Sequence, residues 1–246
     1  MAATEKNGER AVQLEVLREE KKACWSCGEM LEAHFCDSCG KLQPAAPTDY
    51  FSFFGLPRKL SLDTVKLERD FYQFSRKLHP DVFARATTKE QDWSLQKTSL
   101  LNDAYRTLKD PISRTEYLLK LEGVQMEEQS KQATEQARQS GQNKIQMVPP
   151  ELLEEVFELN LQLEEARMNK KMGDVDGDLL GELKQTKQSL ENKFGALEAE
   201  LKKDWEDWDA TESDEQRRTV RDKMVDLLNR RSYIRNLVRD VNEVLE

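Results

Sequence analysis

Apolar residues recur at steps of three and four along most of this 246-residue chain, and that spacing predicts amphipathic helices. Between residues 49 and 124, two helical stripes flank a polar break. The stripes consist of Leu67, Phe71, Phe74 and Leu78, and of Trp93, Lys97, Leu101, Ala104, Tyr105 and Leu108. Two antiparallel helices would bury these stripes against each other, so the segment predicts a helical hairpin.

Residues 150–246 carry three more stripes and predict three long helices. The first stripe is interrupted by Gly173 and Gly177 and consists of Leu152, Val156, Leu159, Leu163 and Ala166. The second consists of Leu190, Phe194, Leu197, Leu201, Trp205 and Trp208. The third skips one turn and consists of Val220, Met224, Leu227, Ile234, Val238, Val241 and Leu245. An antiparallel three-helix bundle is the simplest fold that hides all three stripes.

The segment between these two helical regions is rich in glutamine and has hardly an apolar side chain to bury, which predicts a polar linker that is mobile or weakly helical. Pro149 and Pro150 close it and open the next helix. We therefore predict an all-α protein in five segments: a helical or disordered tail (1–22), a cysteine module (23–47), the helical hairpin (48–124), the linker (125–149) and the bundle (150–246).

Composition narrows the class of protein. With 35% charged residues but only 10 Gly and 7 Pro, the chain favours long helices over a large α/β enzyme. Its 38 basic and 47 acidic residues give a net charge of −9, which argues against a general nucleic-acid binder. No apolar run reaches the roughly 18 residues of a membrane span. The first 22 residues resemble neither a signal peptide nor an acid-poor transit peptide, so we expect a cytoplasmic protein, or a processed form in the mitochondrial matrix.

The four cysteines form two CxxCG turns, made by Cys24 and Cys27 and by Cys36 and Cys39. Four thiolates in a tetrahedral array favour one structural zinc ion, whose binding supplies on the order of 10 kcal/mol of folding free energy. A rubredoxin-like iron site and dithiol oxidoreductase chemistry are the alternatives. We expect His34 to be solvated or locally hydrogen-bonded rather than a ligand. A nucleic-acid finger is disfavoured because Lys41 is the one base within residues 24–42.

The first helix of the hairpin must stop where His79, Pro80 and Asp81 follow Leu78, since proline lacks an amide donor and disfavours helical geometry in the residue before it. These three side chains are therefore predicted on an exposed turn. The preceding segment, residues 58–78, has three acids and six bases, namely Arg58, Lys59, Lys66, Arg69, Arg76 and Lys77.

The hairpin resembles a J domain, the module that stimulates ATP hydrolysis by seventy-kilodalton heat-shock chaperones. The resemblance rests on DYFSFFGLP at 49–57, the HPD turn, LNDAYRTL at 101–108 and Asp110-Pro111. Arg114 is followed by Tyr117-Leu118-Leu119, where generic J domains have a Tyr-Asp pair. This variant, together with LSLD at 60–63 and a helical C-terminal domain, is similar to the HscB family of iron-sulfur cluster co-chaperones, some of which carry zinc knuckles.

The resemblance implies a DnaK- or HscA-type chaperone ATPase as partner. Asp81 would engage its ATPase machinery, His79 and Pro80 would shape the turn, and Arg69, Arg76 and Lys77 would steer the chaperone's acidic surface. The chain has no Walker motif or other nucleotide cradle, so we expect no nucleotide cofactor and no enzymatic activity of its own.

A second apolar row on the first bundle helix, Leu153, Phe157 and Leu161, predicts an exposed client surface, although core packing competes for Leu161. In the HscB family this helix receives the IscU-type scaffold protein. The residues that match are Leu153, Phe157 and Glu158, more loosely Glu165, and Tyr233 on the last helix. Glu154 and Leu161 depart from the family pattern. A J protein for a different client is the nearest alternative, and the sequence leaves a homodimer open.

Overall fold

The computed structural model describes residues 22–31, 34–46, 48–124, 152–173 and 176–246. All but Lys22 of the predicted N-terminal tail (1–22) and all of the predicted linker (125–149) lie outside these residues. The helices are α1 (Tyr50–Phe53), α2 (Thr64–Leu78), α3 (Thr88–Lys109), α4 (Pro111–Leu121), α5 (Leu153–Met172), α6 (Gly177–Ala210) and α7 (Asp214–Leu245). The predicted all-α class is confirmed. The cysteine module adds two antiparallel two-residue strands, β1 (Lys22–Ala23) and β2 (Met30–Leu31).

Side-chain caps fix where the helices of the hairpin begin. Asp49, Asp63 and Asp110 each accept hydrogen bonds from backbone amides in the first turns of α1, α2 and α4. Helix α3 starts with a capping box, in which Thr87 and Glu90 satisfy each other's backbone amides. The helices therefore start at positions that the sequence itself marks.

The predicted hairpin forms, and its two stripes pack against each other. Leu67, Leu78, Leu101 and Leu108 are fully buried in one core, and Phe71 stacks on Tyr105 with ring centroids 4.1 Å apart. Leu118, which follows Tyr117 where generic J domains are expected to have an aspartate, is also fully buried. An unpaired carboxylate would be costly at that position, so the leucine suits the way α4 packs.

Helices α6 and α7 are much longer than α5, and their hairpin contributes to two cores. One core joins α5 to the first half of α6 and the last half of α7. The other joins the J-like hairpin to the connected ends of α6 and α7 through Leu201, Trp208, Val220, Met224 and Leu228. The three stripes are thus buried as predicted, but only part of their length forms a three-helix bundle.

The turn that the stripe of α7 skips is filled by Arg231. Its guanidinium lies over the ring of Phe194, 4.6 Å from the centroid, and donates to the Glu198 carboxylate at 2.9 Å. The aliphatic stem of an arginine can cover apolar surface while its head pairs with an acid. The interruption in the apolar pattern is therefore a cation-π and ion-pair contact between α6 and α7.

Asp209, near the end of α6, joins this helix to the segment ahead of α2. Its carboxylate accepts hydrogen bonds from the backbone amides of Leu60 at 2.8 Å and Ser61 at 2.7 Å, just ahead of α2.

Among the described residues, no helix has the length and apolar character to cross a membrane.

We predict that Asp209→Asn lowers the free energy of unfolding by about 1 to 3 kcal/mol, because two amides lose a charged acceptor. Urea denaturation followed by circular dichroism measures the change. The control is Asp207→Asn, an exposed carboxylate on the same helix. Equal losses in the two variants would show that net charge, rather than the two hydrogen bonds, is responsible.

Candidate functional site

The four cysteine sulfurs form one compact group. The Sγ atoms of Cys24 and Cys39 are 3.7 Å apart, those of Cys27 and Cys36 are 3.6 Å apart, and all four lie within 4.8 Å of one another. All four are free thiols. A metal with Zn–S bonds of about 2.3 Å places tetrahedral sulfurs about 3.8 Å apart, so the spacing fits a single tetrahedral ion.

Each CxxCG turn has the same backbone. Gly28 and Gly40 adopt positive φ angles of 78° and 69°, and their amides donate to the carbonyls of Cys24 and Cys36 at 2.9 and 2.8 Å. Side chains with a Cβ rarely adopt these angles, which explains why glycine follows both pairs. The two turns thereby present their thiols to a common point.

Hydrogen bonds to the Cys24 sulfur favour its thiolate form. Burial alone would raise its pKa, but hydrogen bonds from the backbone amides of Cys27 and Ser26 and from the Gln43 side chain lower that pKa to about 6. Gln43 Nε2 lies 3.3 Å from the sulfur. Because metals bind the thiolate form, these donors favour coordination.

His34 lies away from the sulfurs and connects the cysteine module to the J-like hairpin. Its Nε2 donates to the Phe53 carbonyl at 3.0 Å, and its Nδ1 accepts from Lys97 Nζ at 3.2 Å. Burial and the charge of Lys97 lower the pKa of His34 to about 4, and burial lowers the pKa of Lys97 to about 8. The ring is therefore neutral and hydrogen-bonded, but its partners lie on α1 and α3 and are not the local ones that the sequence predicted.

Two further contacts hold the module against the start of α3. Lys41 pairs with Glu90 at 3.1 Å, and Trp25 packs edge-to-face on Trp93 with centroids 5.6 Å apart. Sequence reasoning missed this docking. The signal was present in Lys97, a charged residue at an apolar position of the α3 stripe.

The HPD turn has the predicted form. His79 is extended, with φ −58° and ψ 134°, and Pro80 opens a 3₁₀ helix over Pro80–Phe83. The Nδ1 atom of His79 accepts from the Asp81 amide at 3.2 Å. The Asp81 side chain is 91% exposed, so its carboxylate is available to a partner.

Helix α3 anchors the base of the turn. The Leu78 carbonyl, the last of α2, accepts hydrogen bonds from Ser94 Oγ at 2.6 Å and from Thr98 Oγ1 at 3.0 Å. Carbonyls at a helix end have no partner within the helix, so these hydroxyls satisfy a group that would otherwise be buried without one. The backbone at the start of the turn is therefore held in place, although the turn itself is exposed.

Of the basic residues predicted to steer a chaperone, Arg76 and Lys77 lie in the last turn of α2 and Arg69 lies two turns earlier. Arg69, Arg76 and Lys77 are all exposed. In ideal helix geometry they share a sector of about 100° on the side of α2 that faces away from Leu67 and Leu78. They form a positive face that ends at Asp81.

The apolar row predicted on the first bundle helix is exposed on α5. Leu153, Phe157 and Leu161 are 53%, 66% and 57% exposed, while Leu152, Val156, Leu159, Leu163 and Ala166 are buried. Leu161 thus belongs to the surface and not to the core. Glu158 and Glu165 are exposed along the row.

Tyr233 is not part of this surface. Its side chain packs in the core of the bundle with 6% exposure, and burial raises its pKa. The sequence suggested a partner contact for this tyrosine because its position matches the family pattern. Its apolar ring instead fills space between α7 and the neighbouring helices, so the structure gives no support to that role.

No protein-family model matches the chain. The chain is 32% identical over 177 residues to the iron-sulfur cluster co-chaperone protein HscB of Mus musculus, covering 70% of each protein. It is 44% identical over 78 residues to the co-chaperone protein HscB homolog of Vibrio cholerae, covering 32% of this chain and 46% of that protein. The crystal structure of human co-chaperone protein HscB superposes with a TM-score of 0.62 at 26% identity, over 90% of this chain and 98% of that one.

The alignment with the mouse relative covers more than two thirds of both chains. The fold is shared over almost all of the human structure. These likenesses agree with the HPD turn, the cysteine module and the helical C-terminal domain. The chain therefore belongs to the HscB family of iron-sulfur cluster co-chaperones.

Proposed function

We propose that this protein stimulates the ATPase of a DnaK- or HscA-type seventy-kilodalton chaperone and delivers an IscU-type scaffold protein to it. The observation that carries the proposal is the Asp81 carboxylate, which is 91% exposed on a turn whose base is fixed by two hydrogen bonds. Such a group reaches a partner at a low entropic cost, because the backbone that carries it is already ordered.

In this proposal the chaperone binds along the positive face of α2. Arg69, Arg76 and Lys77 attract its acidic surface, and Asp81 then forms charge-assisted hydrogen bonds with the ATPase machinery. Client capture takes place on α5, where Phe157 is an apolar anchor with Glu158 and Glu165 along its rim. Holding client and chaperone on one chain raises their effective concentration without bond chemistry in this protein.

The four cysteines hold one structural zinc ion in this proposal. The bound ion would cross-link the two CxxCG turns. This cross-link would stabilise the cysteine module, which is too short to bury an apolar core of its own. Gln43 and the backbone amides support the thiolates, while His34, Lys41 and Trp25 hold the module on α3.

We predict that Asp81→Asn reduces chaperone ATPase stimulation to the unstimulated rate, because an amide loses the charge that the contact requires. A steady-state ATPase assay with the chaperone measures this effect. Asp92→Asn, an exposed carboxylate on α3, is the matched control and should retain full stimulation. Full stimulation by the Asp81 variant would refute the role of the turn.

Phe157→Ala should weaken scaffold binding by about 1 to 3 kcal/mol, the usual effect of removing an exposed aromatic anchor. Isothermal titration calorimetry with a purified IscU-type scaffold measures the affinity. A thermal melt should stay unchanged, because the side chain is 66% exposed. Leu95→Ala, which truncates a 56% exposed residue on α3, should leave the affinity unaltered. Unaltered affinity in the Phe157 variant would remove α5 from the client surface.

Cys36→Ser should lower the zinc content well below the roughly one ion per chain of the parent protein, while the helical bundle stays folded. Atomic absorption gives the metal content and circular dichroism the helicity. Ser38→Ala, in the same turn, should keep its zinc. A Cys36 variant with full zinc would contradict ligation by four thiolates.

A further inference from the structure

The exposed apolar row on α5 continues beyond the predicted client residues to the end of the helix. Met168 and Met172 are 58% and 78% exposed, and both lie on the same side as Leu153, Phe157 and Leu161. In ideal helix geometry the five side chains fall within a sector of about 100°, nearly opposite the buried stripe. Helix α5 is therefore apolar on two faces, of which the protein itself covers one.

The row is about 28 Å long at 1.5 Å per residue. Glu164 and Glu165 lie between Leu161 and Met168, so the row consists of two exposed apolar patches separated by an acidic turn. Apolar patches with such a polar rim are typical of docking surfaces. Methionine at its far end suits a partner that changes shape, because the unbranched thioether adapts to different contours.

Charge changes sign along the same helix. Residues 152–165 contain five acids and no base, whereas residues 166–172 contain three bases and no acid. The terminal charges complement the helix dipole, but Glu158, Glu164, Glu165 and Arg167 lie outside the first and last turns. The row thus has an acidic part that includes Phe157 and a basic part that includes Met168 and Met172.

We propose that the whole row from Leu153 to Met172 is one client-docking face, and that it binds a segment of the scaffold protein with basic side chains at one end, an apolar stripe and acidic side chains at the other. This inference rests on the proposed scaffold function and extends its footprint by two helical turns. The partner's acidic end lies over Arg167 and Lys171, and its basic end over the glutamates.

Charge complementarity also allows a second copy to pack antiparallel on this face, but the area argues against it. A strip 28 Å long and about 10 Å wide buries roughly 560 Å² over two copies, below the approximately 1,000 Å² of a specific interface. The row is also continuous with Phe157 and Glu158 of the proposed client surface, which favours the scaffold as its occupant.

The test compares the double variant Met168→Ala/Met172→Ala with the parent protein in calorimetric titrations with a purified IscU-type scaffold. We expect the dissociation constant to rise about five- to tenfold, with the melting temperature unchanged because both side chains are exposed. Met30→Ala, which truncates a 53% exposed methionine in the cysteine module, is the matched control and should bind as the parent does.

The charge pattern is tested with Lys171→Glu, which should weaken scaffold binding about threefold at low salt and less at high salt. Lys184→Glu makes the same charge change at an exposed position on α6 and should have no such effect.

The outcomes separate this inference from the proposed function. Loss of affinity in Phe157→Ala but not in the double methionine variant would overturn the extended face and leave the shorter footprint standing. Parent affinity in both would refute scaffold binding on α5 altogether. A parent protein that sediments as a dimer, and that the double methionine variant converts to a monomer, would overturn the choice of occupant.

Discussion

The proposed function of this protein depends on two hydrogen bonds that side-chain hydroxyls donate to the carbonyl of Leu78. Pro80 ends α2, and the last carbonyls of a helix have no partner inside it. Ser94 and Thr98 satisfy the carbonyl of Leu78 from α3. Each such bond contributes only about 1 kcal/mol, but together they fix the corner from which Asp81 extends into solvent.

The same part of α3 also receives the cysteine module. Glu90 caps the helix and pairs with Lys41, Trp93 packs on Trp25, and Lys97 binds His34. These contacts lie within the first three turns of the helix, on either side of Ser94. The cysteine module is thus attached to the helix that anchors the HPD turn, although the module and the turn are far apart in the sequence.

The long helical hairpin formed by α6 and α7 contributes to both cores. The connected end of α6 and α7 packs under the J-like hairpin, and the open end packs against α5. Asp209 adds direct hydrogen bonds to the segment ahead of α2. The helices that carry the HPD turn and the exposed row of α5 therefore both pack against the same pair of long helices.

The sequence alone determined the helices, their caps, the two CxxCG turns and the proline corner, because these depend on local spacing and on backbone chemistry within a few residues. It also predicted which stripe of each helix is buried. Tertiary structure decided what depends on neighbours distant in the chain. It placed Leu161, Met168 and Met172 in solvent and Tyr233 in the core, filled the skipped turn with Arg231, and buried Lys97 beside His34. Periodicity gives the direction of a side chain from its own helix, but only the packed fold determines whether another surface covers it.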